Sequence, residues 1–200
     1  MEKPQIRHFK RQFIPRPNIE VPLCLREPSP VKELEIGSGN GEFAFYRAKS
    51  SPQSYFIAIE KTRTLFNRMY KHYEKEPLSN LWIFHTNAVW WISHFVSENS
   101  LDKIYILYPN VYVKPRQSHL RWFNRPFMPY LINCLKLGGE LEIRTNEKNY
   151  YEECKLKLNQ FENIKKKQDF HLVGPPCTAF ERKYREQGQI CRSLVYTRFF

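Results

Sequence analysis

The sequence predicts an α/β fold, with a mostly parallel twisted sheet and helices on both faces, from three observations. Short apolar segments alternate with helical patterns along the chain, and a glycine-rich turn follows the first apolar segment. The third observation is length, because 200 residues suffice for one domain with a substantial core and are too few for two. Strands separated by helices run parallel, and ligands bind such sheets beyond the carboxyl ends of the strands. We therefore expect the functional residues at that edge.

The regular pattern begins with a short strand at Val31–Ile36, followed by a glycine turn and a helix at Glu42–Lys49. Strand, glycine turn and helix are the opening of a nucleotide-binding unit. The preceding stretch is rich in basic residues and proline and has no period. We interpret residues 1–30 as a basic arm laid against the body or the ligand, and residues 31–200 as the single domain.

The alternation of strands and helices continues along the rest of the chain. The pair Gly138-Gly139 is expected to end a helix. The basic segment from Pro109 to His119 is interpreted as irregular, and the run Lys165-Lys166-Lys167 as a solvated loop. The remaining predicted strands are Tyr55–Glu60, Leu81–Thr86, Lys103–Tyr108, Glu140–Thr145 and Ser193–Tyr196, and the remaining predicted helices are Thr62–Glu74, Val89–Val96, Asn124–Leu137 and Tyr150–Phe161.

The charge of the chain predicts a nucleic acid partner. Lys and Arg outnumber Asp and Glu by 32 to 20, giving a net charge of +12, and aromatic residues make up 16% of the sequence. Basic side chains interleaved with aromatic ones suit phosphates and bases. A solvated basic surface without a partner is the alternative, so the charge needs support from motifs.

The cysteines and the apolar segments predict no metal site and no membrane segment. Cysteine occurs five times, at scattered positions and without a C-x-x-C pair, which favours reduced thiols in a reducing compartment. No apolar signal segment opens the chain, and no run of about 18 apolar residues follows. The expected location is the cytoplasm.

The glycine turn and a downstream acid predict a site for an adenosine-containing cofactor. Gly37 and Gly39 allow the backbone to turn and to approach a ligand closely, and the next helix offers free N–H donors. Glu60 ends the following strand about 20 residues later, where a carboxylate can accept hydrogen bonds from two ribose hydroxyls. The G-x-G-x-G spacing differs from the G-x-G-x-x-G of dinucleotide sites, which disfavours a nicotinamide cofactor.

Four segments resemble the bacterial tRNA (guanine-N7-)-methyltransferase family. IRHFKRQ (Ile6 to Gln12) is similar to the family's basic N-terminal stretch, and ELEIGSGNGEF (Glu33 to Phe43) to its cofactor loop. TAFERKYREQGQ (Thr178 to Gln189) resembles its C-terminal substrate segment. YPNVYVKPRQSH (Tyr108 to His119) occupies the place of the signature Pro-Asp-Pro-Trp-Pro-Lys-Lys-Arg-His but matches it only in part.

The resemblance implies a Rossmann-like fold, S-adenosylmethionine (SAM) as cofactor, and tRNA or another structured RNA as substrate. It also implies a site, in which Asn110 is the expected catalytic residue. Lys114 to Arg125 and the arm are expected to contact phosphates. The expected SAM-binding residues, with Gly39 added from the glycine turn, are Glu35, Gly37, Gly39, Glu60, Asn87 and Asn110, and the expected substrate-binding residues are Lys114, Asn146, Thr178, Phe180 and Glu181.

The chain departs from the family where aspartate is usual, because it carries Asn87, Asn110 and Asn146. Guanine N7 presents a free lone pair, so methyl transfer to it needs alignment and electrostatics more than a base. An amide offers one acceptor oxygen where a carboxylate offers two, and an unmade buried hydrogen bond costs about 1–3 kcal/mol. Val111-Tyr112-Val113 in place of Pro-Trp-Pro removes two rigid φ angles, although Tyr112 can still stack on a base.

These departures leave three hypotheses open. The first is a SAM-dependent RNA methyltransferase acting on guanine N7 in tRNA. The second is a weak or inactive relative that works as an RNA-binding or partner-binding module. The third is a methyltransferase with a different acceptor, because an amide pair suits a substrate edge with both a donor and an acceptor. The oligomeric state is left open.

Overall fold

The computed structural model describes residues 9–19, 23–26 and 31–199. These residues form a seven-stranded sheet and helices that cover it. The strands are β1 (Lys32–Ile36), β2 (Tyr55–Glu60), β3 (Leu81–His85), β4 (Leu101–Leu107), β5 (Leu135–Thr145), β6 (Ile164–His171) and β7 (Arg192–Arg198). The helices are α1 (Leu23–Arg26), α2 (Glu42–Ser50), α3 (Arg63–Lys75), α4 (Ala88–Phe95), α5 (Phe127–Asn133), α6 (Lys148–Leu158) and α7 (Ala179–Glu186).

The strand order is β3-β2-β1-β4-β5-β7-β6. Strands β1 to β5 pair in parallel, whereas β7 pairs antiparallel with both β5 and β6. Strands β2 and β3 are therefore added on one side of β1, and after β3 the chain crosses back to place β4 and the later strands on the other side. This reversal places a crevice at the carboxyl ends of β1 and β4, the position at which open α/β sheets bind ligands.

Two apolar clusters lie on opposite faces of the sheet and confirm that helices cover both. On one face, Trp91, Met128 and Cys154 from α4, α5 and α6 are fully buried among the strand side chains. On the other face, Phe43 of α2 and Met69 of α3 pack on the strands. Because central parallel strands are covered twice, they are apolar on both faces, as β2 is from Phe56 to Ile59.

The predicted helix Asn124–Leu137 is wrong at both ends. A short 3-10 turn covers Trp122–Asn124, α5 ends at Asn133, and β5 begins two residues later. Gly138-Gly139 lies inside β5 instead of ending a helix. A Cβ at Gly139 would be 2.9 Å from the Lys136 carbonyl oxygen and 3.1 Å from that of Leu101, so the glycine permits two backbones to meet.

The prediction of a solvated loop at Lys165-Lys166-Lys167 is also wrong, because these lysines belong to β6 at the edge of the sheet. All of β6 after Ile164 is exposed, so it lacks the apolar alternation by which a strand is recognised. Lysines are common on edge strands, where their charge opposes pairing with another chain. Helix α7, which the helical pattern did not reveal, has a single buried side chain.

The arm contacts the body in its described part. The ring of Phe9 lies 5.1 Å from that of Phe127 and 5.2 Å from that of Tyr130, and the His94 Nε2 atom is 2.8 Å from the Ile14 carbonyl oxygen. The segment from Phe9 to Arg16 therefore lies against α4 and α5. Ile6 to His8, which belong to a segment of the resemblance, fall outside the described residues.

Candidate cofactor and acceptor site

The glycine turn follows β1 directly and is held by its neighbour β2. The Gly37 and Ser38 amides both donate to the Ile59 carbonyl oxygen, at 2.8 and 3.1 Å. Gly37 and Gly39 have φ angles of +80° and +58°, which residues other than glycine rarely adopt. A Cβ added at either position would meet no atom within 4 Å. The turn therefore borders open space, and backbone conformation accounts for the two glycines.

Glu60 is fixed by backbone donors on both of its oxygens. Oε2 accepts from the Gly39 amide at 2.9 Å, and Oε1 accepts from the Thr62 amide at 2.6 Å. The side chain is 5% exposed and lines the space beyond the glycine turn. Each carboxylate oxygen has a further lone pair, so two ribose hydroxyls can donate to it without disturbing these bonds.

A first cleft of about 340 Å³ opens between the ends of β1, β2 and β4. Asn87 lies at its edge as the N-cap of α4, because its Oδ1 accepts from the Val89 amide at 2.9 Å. The walls of the first cleft are largely apolar, and Glu60 contributes an acid to them. An apolar slot between a carboxylate and an amide suits an adenosine group. The aliphatic lining residues are Ile36, Ile59, Leu65, Ala88, Val89, Leu107 and Pro109, and the aromatic ones are Tyr108, Tyr112, Trp122 and Phe180.

A second cleft of about 200 Å³ lies on the other side of the glycine turn. It is bounded by the first turn of α2, by Arg68 of α3 and by the start of α7. The two clefts share part of their walls, so a ligand that fills one touches the other. The shared residues are Gly37, Gly39, Leu65, Leu107, Tyr108 and Phe180.

Glu35 contributes an acid to the second cleft. It is 2% exposed, and its Oε2 has no hydrogen-bond partner among the described residues. Burial raises the pKa of this carboxyl to about 8, against the opposing effects of Ser38 and Arg144, while the Glu60 charge raises it further. A buried acid with an unpaired oxygen is suited to a cationic group.

The loop after β4 carries Asn110 into the first cleft. The Asn110 Oδ1 accepts from the Tyr112 amide at 3.0 Å. Tyr108 and Tyr112 flank it with φ angles of +48° and +45°, a conformation that costs non-glycine residues energy and must be held by neighbours. The side-chain NH₂ group of Asn110 and the second lone pair of its Oδ1 remain for a ligand.

Arg121 holds this loop in its strained form. Its Nε donates to the Val111 carbonyl oxygen and its Nη2 to that of Tyr112, both at 2.9 Å. The guanidinium also pairs with Glu153 of α6, which accepts from Asn124 at 2.8 Å as well. A side-chain clamp thus restrains the segment in which the family signature has two prolines.

Some residues at the start of α7 line the clefts, and another holds the helix in place. Thr178 caps the helix, because its Oγ1 accepts from the Glu181 amide at 2.9 Å. Phe180 is 48% exposed and stands between the two clefts. Glu181 points away from them, is 1% exposed, and lies 3.5 Å from Arg144 and 3.3 Å from Arg185. The pair with Arg144 joins α7 to β5, and the pair with Arg185 lies within α7.

The structure brings most of the predicted site residues together around the two clefts. Lys114, Asn146 and Glu181 line neither cleft. Lys114 is exposed, and Asn146 donates to Gln189 at 2.7 Å beyond the end of β5. The predicted residues that do line the clefts are Glu35, Gly37, Gly39, Glu60, Asn87, Asn110, Thr178 and Phe180.

Sequence reasoning expected Arg125 to contact phosphates, but it did not predict that Trp122, Arg125 and Arg68 line the clefts. Arg125 lines the first cleft with Trp122, and its guanidinium lies 4.6 Å from the centre of the Trp122 ring. Arg68 reaches the second cleft because α3 starts immediately after Glu60. Its position eight residues after a strand-end acid was the available signal. Among the described residues, no group of three or more His, Cys, Asp or Glu side chains is arranged to hold a metal ion.

The chain is similar to methyltransferases in sequence and in structure. A family model described as a putative methyltransferase matches residues 29–194. A tRNA (guanine-N(7)-)-methyltransferase of Nitrosomonas eutropha is 30% identical over 201 residues, which cover 96% of this chain and 90% of the relative. The Aquifex aeolicus enzyme of the same name is 29% identical, and the match covers 83% of this chain and 56% of that longer protein.

A solved structure of the 16S rRNA methyltransferase KamB superposes with a TM-score of 0.66 at 13% identity, covering 88% of this chain and 91% of the other. Likeness at that identity shows the fold alone, which is the Rossmann-like fold of SAM-dependent methyltransferases. No helix in the described ranges has both the length and the apolar character to cross a bilayer. Because the family model covers most of the chain, and the Nitrosomonas relative matches over nearly its full length, the chain belongs to the tRNA (guanine-N(7)-)-methyltransferase family.

Proposed function

We propose that the chain transfers a methyl group from SAM to N7 of a guanine in tRNA. The observation that carries the proposal is the pair of clefts that meet at Gly37 and Gly39, with a fixed acid, Glu60, on one side and an unpaired buried acid, Glu35, on the other. The names of the two relatives support the choice of guanine N7 and tRNA.

The residues of the first cleft fit the adenosyl half of SAM. Glu60 keeps lone pairs directed at the positions of two ribose hydroxyls, and the apolar walls suit the adenine ring. The unpaired oxygen of Glu35 suits the cationic end of the cofactor. When bound, SAM supplies a methyl group on a positively charged sulfur. Glu60 therefore provides orientation, and Glu35 provides charge complementarity in its ionised form.

The acceptor side works by alignment. Guanine N7 carries a lone pair and loses no proton when it is methylated, so the chain need not supply a base. Phe180 and Tyr112 are aromatic rings at the mouth of the first cleft and suit stacking on a base. The Asn110 oxygen accepts one bond from the Tyr112 amide, so its NH₂ group can donate to an acceptor atom on the cofactor or the base, and its second lone pair can accept from a donor.

The test is methyl transfer from radiolabelled SAM to unmodified tRNA, with the modified nucleoside identified by mass spectrometry. We expect label in tRNA and 7-methylguanosine in the digest. SAM binding without transfer to any tRNA would contradict the proposal. Transfer to another nucleoside would contradict the assignment of N7 and support a different acceptor.

A second candidate is an RNA-binding module with little or no turnover. The observation that favours it is that Asn110 presents a donor to the cleft where an aspartate would present a further acceptor oxygen. The double variant Asn110→Asp, Asn146→Asp separates the two candidates. A gain of at least tenfold in transfer to tRNA would favour the module, and a loss would favour the active enzyme.

A further inference from the structure

Helix α3 carries a stripe of positive charge that the protein does not neutralise. Arg68, Lys71 and Lys75 follow one another at spacings of three and four residues, so their side chains lie along one face of the helix. All three are exposed, and no carboxylate of the described residues forms an ion pair with any of them. Glu74 is the single acid between Arg63 and Lys75.

The lysines on the opposite edge of the sheet differ in this respect. Lys166 lies 3.2 Å from Asp169, and Lys167 lies 2.6 Å from Glu140. Lys155 of the neighbouring helix α6 also pairs with Asp169, at 2.8 Å. Acids of the chain therefore already bind much of the positive charge beside β6, whereas the charge on α3 is available to an external anion.

The stripe continues from the candidate site. Arg68 lines the second cleft, and Leu65, one helical turn earlier, lines both clefts. From Arg68 to Lys75 the helix rises about 10 Å away from the cleft. A polymer of negative charges with one unit in the clefts would meet Lys71 and Lys75 as it leaves them.

Aromatic rings lie on the flank of α3 opposite to the stripe, with the exposed Asn67 and Glu74 between the two, and they favour a nucleic acid over other polyanions. The Phe66 ring is stacked on Tyr70, with centroids 6.0 Å apart and planes at 29°. It is also stacked on His85 of β3, with centroids 5.0 Å apart and planes at 27°. Tyr70, at one end of this stack, is 45% exposed. Basic grooves lined with such rings bind the phosphates and the unpaired bases of nucleic acid strands.

We propose that α3 is a docking surface for the RNA strand that leads to the clefts. The α3 surface is the exposed face of the helix between two flanks. Arg68, Lys71 and Lys75 on one flank contact phosphates, and Tyr70 on the other, backed by the stacked rings of Phe66 and His85, is the ring on which an unpaired base stacks. The inference rests on the proposed function for the identity of the RNA and extends it to a helix that carries none of the expected site residues.

The test compares two charge-reversal pairs in the full chain. Lys71→Glu with Lys75→Glu alters the α3 surface and avoids Arg68, which lines a cleft. Lys157→Glu with Lys165→Glu is the matched control on α6 and β6, and it changes the net charge equally. Affinity for tRNA is measured by fluorescence anisotropy between 50 and 200 mM NaCl, affinity for SAM by calorimetry, and folding by thermal melting.

We expect the α3 pair to weaken tRNA binding at least tenfold, because phosphate contacts are lost. For the same reason, the plot of log affinity against log salt should become less steep, its slope decreasing in magnitude by about 1 to 2. The control pair should change affinity by less than about threefold, since it removes only long-range attraction. The Kd for SAM should be unchanged in both. Tyr70→Leu should weaken binding of an unpaired RNA oligonucleotide severalfold at an unchanged salt slope.

Equal losses in the two pairs would overturn the inference, because they would show attraction by net charge alone. An α3 pair with normal tRNA affinity, in a protein whose unaltered form binds and methylates tRNA, would overturn the inference and leave the proposed function standing. If the unaltered chain binds no tRNA, both are overturned. An unchanged oligonucleotide affinity for Tyr70→Leu would remove the rings from the surface.

Discussion

The cofactor half and the acceptor half of the site are held in place by different means. Glu60 and the glycine turn are fixed by backbone amides and carbonyls at the ends of adjacent parallel strands. The loop of Asn110 and the start of α7 are fixed by the side chains of Arg121 and Arg144. Backbone bonds follow from the fold, whereas side-chain clamps depend on single residues. The acceptor half can therefore change its chemistry while the cofactor half stays intact.

The largest effect is expected from Glu60→Ala in the cofactor half. In the proposed complex, the substitution removes a charge-assisted bond to each ribose hydroxyl, each worth about 1.5–3 kcal/mol, and it frees the Gly39 and Thr62 amides. The Kd for SAM should rise by about a hundredfold or more, as measured by calorimetry. Affinity for tRNA should be unchanged. A Kd for SAM within about threefold of the unaltered chain would place the ribose elsewhere.

The next effect is expected from Arg121→Met in the acceptor half. Loss of two donors to the loop carbonyls releases the strained Tyr112 and misplaces Asn110, so kcat should fall by about ten- to a hundredfold. The Kd for SAM should stay within about twofold, because the cofactor half has its own backbone supports. Glu153→Gln, which weakens the anchor of Arg121, should lower kcat less. Parallel losses of kcat and SAM affinity would contradict the division into two halves.

A pH dependence of about tenfold is expected from Glu35. Its pKa is raised to about 8 by burial, so the carboxyl is mainly protonated at pH 7 and ionised at pH 9. The cationic cofactor favours the ionised form, and its affinity should rise about tenfold between these pH values. Glu35→Gln should abolish the rise. A SAM affinity that does not change with pH in the unaltered chain would show that Glu35 does not interact with the cofactor.

The same pKa shift has a consequence for stability. Between the ordinary value of 4.5 and about 8, the folded chain binds a proton at Glu35 that the unfolded chain releases. The free energy of unfolding without ligand should therefore fall as pH rises through this window. Urea unfolding at pH 5 and pH 8 measures the difference between the unaltered chain and Glu35→Gln. An equal change in both would contradict the assignment.

The smallest effect is expected from Asn87→Ala. Loss of the α4 cap should lower the free energy of unfolding by about 1 kcal/mol, and the Kd for SAM should rise by less than tenfold. Asn87→Asp is the matched control, because its carboxylate keeps the bond to the Val89 amide. Thermal melting and calorimetry separate the two contributions. A stability loss as large in Asn87→Asp would contradict the capping role.

The sequence was a better guide to the cofactor half than to the acceptor half. Gly37, Gly39 and Glu60 are close in sequence to strand ends, and strand ends are visible as boundaries of apolar runs. Arg121 acts through contacts that depend on how the 3-10 turns pack against the loop after β4 and against α6, which no local pattern encodes. Glu181 is an opposite case. It lies in a segment that resembles the family and was expected to bind substrate, but the structure buries it in ion pairs with Arg144 and Arg185.

The most direct test is a crystal structure of the chain with S-adenosylhomocysteine. The account expects the adenine ring in the first cleft between α4 and the glycine turn, with both ribose hydroxyls within 3.2 Å of Glu60 carboxylate oxygens. It also expects the sulfur at the wall shared by the two clefts. A ligand bound outside the first cleft, or a ribose without contact to Glu60, would contradict it.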